Sequence, residues 1–458
     1  MQILKFGGSS VASAAQIERA CAIIEKALQM DKTIVVTSAL GGCTNKLIEI
    51  GYLAADRNRA YMLTLEELIG RHREVVCKLG LPEQPEVDAM IGELSEVCQG
   101  VYQLQELSLR TLDRIMSYGE LLSSTLLSRF LHHKGIHNCW VDARQVIRTD
   151  HQYGHAQVEM EITSRQVEAH FSAYPSRLYV LPGFIASNDY GITTTLGRGG
   201  SDYTASLLAV CAKARILEIW TDVSGMMTAD PRVVPQARPI PHISYKEALE
   251  LSHFGARVVY PPTIQPVVNH HIPIRIKNTF DPEAPGTLIE QNPPESNSRL
   301  RGLSSSCHIA LLSMEGSGMV GVPGYSARLF SALAAVKINI ILITQASSVH
   351  TMCVAIDEKE AEIAKKAVDD IFAYEISLQK VEPLRVEVGF SIISLVGDDL
   401  QQQSGTGGRM FEALGRRGIN IRAIAQGSSE KNISTVVHTA DEVEALRAIH
   451  EAFFSDHR

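Results

Sequence analysis

Apolar and polar positions change period several times along this chain, and the changes outline its elements. Gln2–Phe6 (QILKF) is a short apolar run closed by Gly7 and Gly8, and residues from Gln16 to Met30 then repeat at helical spacing. Thr33–Ala39 (TIVVTSA) is β-branched without alternation, as a strand covered on both faces requires. Strand, glycine turn, helix, strand opens an α/β fold whose mainly parallel central sheet is covered by helices. From about Asn45 to Leu131 the pattern is helical, broken near Gly80–Pro85, an excursion suited to a lid or a subunit contact. Strand-like runs return at Cys139–Ala143, Arg177–Phe184, Leu217–Val223 and Pro273–Thr279, with a helix expected over Asp202–Lys213. The polar, proline-bearing segment Gln291–Ser298 marks a domain boundary. Residues 1–291 therefore read as one domain, with its helical excursion at 45–131, and residues 292–302 as a linker.

Beyond the boundary the chain repeats itself. Arg328–Ser348 (RLFSALAAVKINIILITQASS) matches Arg409–Ser429 (RMFEALGRRGINIRAIAQGSS) at a constant offset of 81 residues, and each copy follows an apolar strand, HIALLSM or FSIISLVGD. Register held across helix, turn and strand points to two βαββ-type modules, over 303–383 and 384–458. A helix that opens after a glycine-bearing strand exit presents free N–H groups to a small carboxylate ligand. The alternative is that both modules only join subunits.

Charge and composition narrow the function. The net charge of −8 and the lack of a basic block or zinc-finger spacing argue against nucleic acid as a partner. No apolar run approaches membrane-spanning length, and strand-like sequence begins at Ile3 without a signal-like leader, so a cytoplasmic location with no membrane partner is expected. The eight cysteines are scattered without a Cys-x-x-Cys pair, and are expected to be reduced thiols with no role as metal ligands.

Three glycine and charge clusters carry the candidate chemistry. Lys5-Phe6-Gly7-Gly8-Ser9-Ser10 sets a lysine at a strand end and bare backbone in the following turn, where N–H groups and a cation suit phosphoryl oxygens. It is neither a Walker A loop nor a Rossmann fingerprint, and an ordinary turn with a solvated lysine is the alternative. Leu196–Asp202 (LGRGGSD) repeats the arrangement: Arg198 suits bidentate capture of a carboxylate, while Ser201 and Asp202 sit where a helix starts. Here the alternative is a capping serine and a local Arg198–Asp202 pair. Thr221–Arg232 (TDVSGMMTADPR) leaves a strand as a candidate nucleotide edge, although such turns also favour Asp and Gly without a ligand. Glu120, in Ser117–Glu120 (SYGE), suits a substrate ammonium, against the ordinary expectation of an exposed helical glutamate.

Taken together, KFGGSSV, TSA at Thr37–Ala39, SYGE, LPGFIA with LGRGGSD, WTDVSG with TADPR, and Phe254–Thr263 (FGARVVYPPT) resemble the aspartate kinases of the amino acid kinase superfamily, and the repeats resemble paired ACT domains. The resemblance covers essentially the whole chain. It implies an amino acid kinase fold followed by two ACT regulatory modules, ATP with Mg2+ as cosubstrates, and L-aspartate phosphorylated on its β-carboxylate. It further implies that Lys5 stabilises the transferring phosphoryl group and that Asp202 is a catalytic residue lining the aspartate side. Gly7, Gly8, Ser9, Thr221, Asp222, Asp230, Arg232 and Arg257 would then lie on the nucleotide side. Ser38, Thr44, Glu120, Arg198 and Ser201 would lie on the aspartate side, Arg198 gripping the α-carboxylate and Glu120 facing the ammonium. The nucleophile is a carboxylate, ionised above a reference pKa of about 3.9, so no general base is expected.

Some positions depart from the family pattern. Arg257 stands where a lysine is usual, followed by Tyr260 and Pro262, and Ser224 and Met227 replace an aspartate and a tyrosine in the TDVSGMMTADPR loop. These changes bear on nucleotide affinity more than on aspartate recognition. The repeats are most similar to those of threonine-sensitive kinases often fused to homoserine dehydrogenase. That similarity implies an effector site formed by Met319, in the loop Gly316–Gly324, with Asn339, Gln345, Asn420 and Gln426. Threonine is the expected effector and lysine the second candidate, with assembly as a homodimer or homotetramer through the ACT modules. No dinucleotide fingerprint occurs, so the sequence reads either as a monofunctional kinase or as the kinase part of a longer chain. A catalytically inactive amino-acid sensor and a related kinase with another substrate are the alternatives.

Overall fold

The computed structural model describes residues 1–253, 259–294, 300–319, 321–345, 351–397, 400, 404–427 and 431–455. It divides into two compact units: Met1–Met226 with Pro239–Tyr245 and Val258–Pro294, and Met227–Arg238 with Lys246–Arg257 and Glu295–Arg458. Two short segments from within 1–291 thus group with the C-terminal repeats.

In the first unit the strands are β1 (Gln2–Phe6), β2 (Thr33–Thr37), β3 (Cys139–Trp140), β4 (Leu178–Pro182), β5 (Ile185–Ser187), β6 (Thr193–Thr195), β7 (Leu217–Thr221), β8 (His242–Ser244), β9 (Ile274–Asn278) and β10 (Thr287–Glu290). Eight of them form one sheet in the order β3-β4-β2-β1-β7-β9-β10-β8, while β5 and β6 pair as a separate antiparallel ribbon. The sheet is parallel from β3 through β9, and only the β9–β10 pair runs antiparallel. Every residue of β1, β2 and β4 is buried, which explains their unalternating sequence.

Strand β1 is the switch point. The chain leaves it for β2 and β4 on one side and for β7 and β9 on the other, so its carboxyl end opens on a crevice where such sheets bind ligands. The helical excursion comprises Cys43–Ala55, Ala60–Lys78, Pro85–Leu104 and Leu109–His133, and the last of these is buried over most of its length. The expected strand at Cys139–Ala143 shrinks to two residues because Asp142 caps a short helix through the Arg144 N–H.

In the second unit each repeat is a βαββα module. The first has β11 (Leu300–Glu315), β12 (Leu342–Gln345) and β13 (Thr351–Asp357), and the second has β14 (Arg385–Gly397), β15 (Ala423–Gln426) and β16 (Asn432–His438). The modules share one antiparallel sheet, β12-β13-β11-β14-β16-β15, joined through β11 and β14. Equivalent helix residues fill both cores, Leu329 and Leu333 in one and Met410 and Leu414 in the other. Of the expected linker, residues 295–299 lie outside the described residues, and Leu300 to Gly302 already belong to β11.

Gly183, just beyond β4, lets the helix Gly200–Cys211 approach the sheet. A Cβ at this position would stand 2.6 Å from Ser201 Cβ and 2.8 Å from Ser201 Cα. Gly183→Ala is expected to lower stability by about 1–3 kcal/mol through overpacking, read as a lower urea midpoint at unchanged slope.

Candidate active site

The chemistry of the first unit gathers at the carboxyl end of β1. Lys5 lies on β1 and is only 7% exposed. Its ammonium meets Asp202 Oδ1 at 2.7 Å, an ion pair by distance though not angled as a hydrogen bond. Asp202 is in the first turn of the helix Gly200–Cys211, where a carboxylate also favours the positive helix end. The local Arg198–Asp202 alternative is therefore not what the chain does.

The neighbouring loops connect directly to this pair. A Cβ built on Gly7 would stand 3.6 Å from Lys5 Nζ, so the glycine turn and the cation share one small volume. Ser9 lies half-buried in the single helical turn Gly8–Val11. After β2, Ser38 N–H donates to Phe6 O at 3.1 Å, and the Ser38 and Ser201 hydroxyls hydrogen-bond at 2.8 Å. The next residue, Ala39, donates its N–H to Glu120 Oε1 at 3.1 Å. Lys5, Asp202, Ser201, Ser38 and Glu120 thus form one continuous chain of contacts, although they come from four separate sequence segments.

Glu120 is buried at 4% exposure, and its Oε2 has no hydrogen-bond partner among the described residues. Burial pushes its pKa up to about 8, with the Ala39 N–H and the Lys5 charge opposing the shift. At neutral pH the carboxyl is consequently mostly neutral. Thr44 is half-buried at the start of the helix Cys43–Ala55. Arg198 is exposed, its Cζ over the Tyr260 ring at 5.2 Å from the centroid, and no carboxylate pairs with it among the described residues.

The proposed nucleotide residues are more dispersed. Thr221 ends β7, and its hydroxyl donates to the exposed Asp222 at 3.2 Å. Asp230 and Arg232 belong to the second unit and pair with each other at 2.7 Å, which holds the Asp230 carboxyl below its ordinary range. Ser224 accepts a hydrogen bond from Asn278 Nδ2 at 2.9 Å, Met227 falls in the second unit, and Arg257 lies outside the described residues. In the repeats, Asn339 and Asn420 are exposed before β12 and β15, and Gln345 and Gln426 are exposed at the ends of those strands. Met319 instead lies in the core of the first module, at 1% exposure.

Three supporting residues escaped the sequence reading. Arg71 donates to Ala12 O at 2.8 Å and Gly41 O at 2.6 Å, tying the loop after β1 to the loop after β2. Ser123 Oγ donates to Ser38 O at 2.6 Å. Asp113, fully buried, accepts from Gly154 N–H, Thr195 N–H and the Thr195 hydroxyl, and so fixes the approach to Leu196–Asp202; burial raises its pKa. Asp113 and Glu120 are seven residues apart, hence on one helix face, and that spacing in an apolar stretch was the available signal.

The profile of the amino acid kinase family matches residues 1–278, and that of the ACT domain matches residues 312–372 and 393–453. The chain belongs to the amino acid kinase family. It is 36% identical to a bifunctional aspartokinase/homoserine dehydrogenase of Haemophilus influenzae, over 100% of this chain and 57% of that protein. It is 30% identical to chloroplastic aspartokinase 1 of Arabidopsis thaliana, over 99% of this chain and 80% of that one. Two structures of E. coli aspartokinase III superpose well. The complex with aspartate and ADP does so at TM-score 0.82 with 30% identity, and the complex with lysine and aspartate at 0.80 with 29% identity, each over 99% of this chain and 100% of that chain. The chain spans about half the length of the bifunctional relatives it matches.

Glu120 yields a pH prediction. Its folded pKa is raised, so between about 4.5 and 8 the folded chain holds a proton that the unfolded chain releases. This contribution to stability is complete below pH about 4.5 and is lost as pH rises through 8. Relative to wild type, Glu120→Gln should gain stability with rising pH, on the order of 1 kcal/mol or more by pH 9, with the difference levelling above the titration. Urea midpoints of both proteins from pH 5 to pH 9 measure it.

Proposed function

We propose that this chain is an aspartate kinase, transferring the γ-phosphoryl group of ATP to the β-carboxylate of L-aspartate to give 4-phospho-L-aspartate and ADP. The observation that carries this reading is the continuous set Lys5, Asp202, Ser201, Ser38 and Glu120 at the switch point, in an amino acid kinase whose relatives bear the aspartokinase name. In the transfer, a β-carboxylate oxygen forms a bond to the γ-phosphorus as the bond from that phosphorus to the bridging oxygen of ADP breaks. No proton moves.

The task of the site is then to hold two anions in line and to stabilise charge as it shifts. Lys5 meets the phosphoryl oxygens, and Asp202 keeps its ammonium aimed. The turn at Gly7 and Gly8, with Ser9, supplies N–H groups on the nucleotide side. Arg198 takes the α-carboxylate, while Glu120 receives the ammonium on its unpartnered oxygen. Ser38, Ser201 and Thr44 line the amino-acid side, and Thr221 and Asp222 the nucleotide side. Mg2+ would enter with ATP as part of the substrate and would offset the charge of its phosphates.

The paired ACT modules are proposed to sense an amino acid, threonine first and lysine second, through Asn339, Gln345, Asn420 and Gln426. Threonine is placed first on the resemblance of the repeats to those of threonine-sensitive kinases, and the lysine complex of E. coli aspartokinase III supports lysine. Assembly as a homodimer or homotetramer is proposed through the sheet edges β12 and β15, where Ile343 and Ile424 are exposed. No helix among the described residues is long and apolar enough to cross a membrane, in keeping with a proposed cytoplasmic location.

Hydroxylamine trapping of the acyl phosphate, with ATP, Mg2+ and L-aspartate, tests the proposal. Aspartyl hydroxamate is expected from wild type, with kcat about 10²- to 10³-fold lower in Lys5→Ala and KM for aspartate about 10- to 100-fold higher in Arg198→Ala. Absence of product from folded wild type would sink the kinase reading. Threonine titrated into the same assay is expected to inhibit, and a flat response to millimolar threonine together with inhibition by lysine would reverse the effector order.

A further inference from the structure

Arg198 is an exposed guanidinium in a turn of glycines, an arrangement that by itself leaves the side chain free to swing. Two contacts oppose that freedom. Its Cζ lies over the ring of Tyr260, 5.2 Å from the centroid. Gly199, at φ 72°, presses against the same element: a Cβ there would stand 2.8 Å from Thr263 Cγ2 and 3.2 Å from Tyr260 Cδ1. Tyr260 is itself fixed, as the residue before the helix Pro261–Asn269, with the Thr263 hydroxyl donating to its carbonyl at 2.6 Å.

We propose that Tyr260 is a positioning residue for Arg198, setting the guanidinium for an anionic substrate group without consuming its hydrogen-bond donors. The chemistry favours a ring over an acid in this role. An aromatic face attracts the cation through its π system and leaves the N–H edge open, whereas a carboxylate partner would compete with the incoming carboxylate for the same donors. Among the described residues Arg198 has no such competitor. Tyr260 keeps 39% of its surface exposed, so the stack is open to solvent and not sealed in the core. The inference deepens the kinase reading and rests on it for the identity of the anion.

The test compares wild type, Tyr260→Phe and Tyr260→Ala in the hydroxamate assay, with aspartate varied at saturating ATP. Tyr260→Ala should raise KM for aspartate by about 2- to 5-fold, with kcat and KM for ATP within about 2-fold, and Tyr260→Phe should restore wild-type behaviour. A purely structural role would instead lower kcat, or the urea midpoint, in step with KM. Equal KM values for wild type and Tyr260→Ala, or a Phe variant as impaired as the Ala variant, would overturn the inference. A second measurement does not depend on catalysis: labelling of Arg198 by phenylglyoxal, quantified by mass spectrometry, should be faster in Tyr260→Ala and unchanged in Tyr260→Phe. If wild type makes no aspartyl phosphate, the substrate assignment fails while the labelling still decides whether Tyr260 holds Arg198. Equal labelling in all three proteins would remove the proposal.

Discussion

A lysine ammonium buried beside a central strand is tolerable only with a counter-charge, and the Lys5–Asp202 pair supplies it. That requirement shapes much of the first unit. Asp202 has to come from a helix that starts against the sheet, so Gly183 has no side chain where Ser201 passes. Ser201 in turn reaches Ser38 at the end of β2, and Ala39 reaches Glu120 on the long buried helix. An isolated pair of this kind is weak evidence for stability, since desolvation offsets most of its attraction. Its value here is geometric: it fixes one cation at the carboxyl end of the switch-point strand.

The other charges are left in deliberately different states. Lys5 is paired, Glu120 is close to neutral at physiological pH, and Arg198 rests on an aromatic ring. In the proposed reaction the amino acid would meet Arg198 and Glu120, neither of which is held by a carboxylate or cation partner among the described residues, while Lys5 faces the phosphoryl group. Supporting residues keep the loops in place around them, Arg71 between the loops after β1 and β2 and Asp113 under the approach to Arg198.

How much of this was legible in the sequence depends on the range of the interaction. The unalternating strands β1, β2 and β4 could be read because burial on both faces leaves a local mark, and the repeats because duplication does. Lys5, Arg198, Ser201 and Asp202 stood out because glycines beside charge are costly without a purpose, whereas Glu120 read as an ordinary helical glutamate apart from the family resemblance. That Asp202 would choose Lys5 over Arg198 could not, since the choice is made by tertiary packing across nearly two hundred residues. Arg71 was invisible for the same reason: its partners are backbone carbonyls, which carry no sequence signature. The short strands β5, β6, β8 and β10 escaped because three or four residues are too few to show a period. The grouping of Met227–Arg238 with the repeats was likewise hidden, as the boundary in space is not a single cut in the chain.

The buried carboxyl of Glu120 carries a last consequence, for ions rather than for stability. A permanently ionised carboxylate in an empty polar crevice would draw in sodium or potassium from the surrounding solution, and an arriving amino acid would have to displace it. A carboxyl that holds its own proton has no such attraction. If Glu120 meets the substrate ammonium as proposed, its negative charge appears only when that ammonium arrives, and loading the site expels a proton instead of a metal cation.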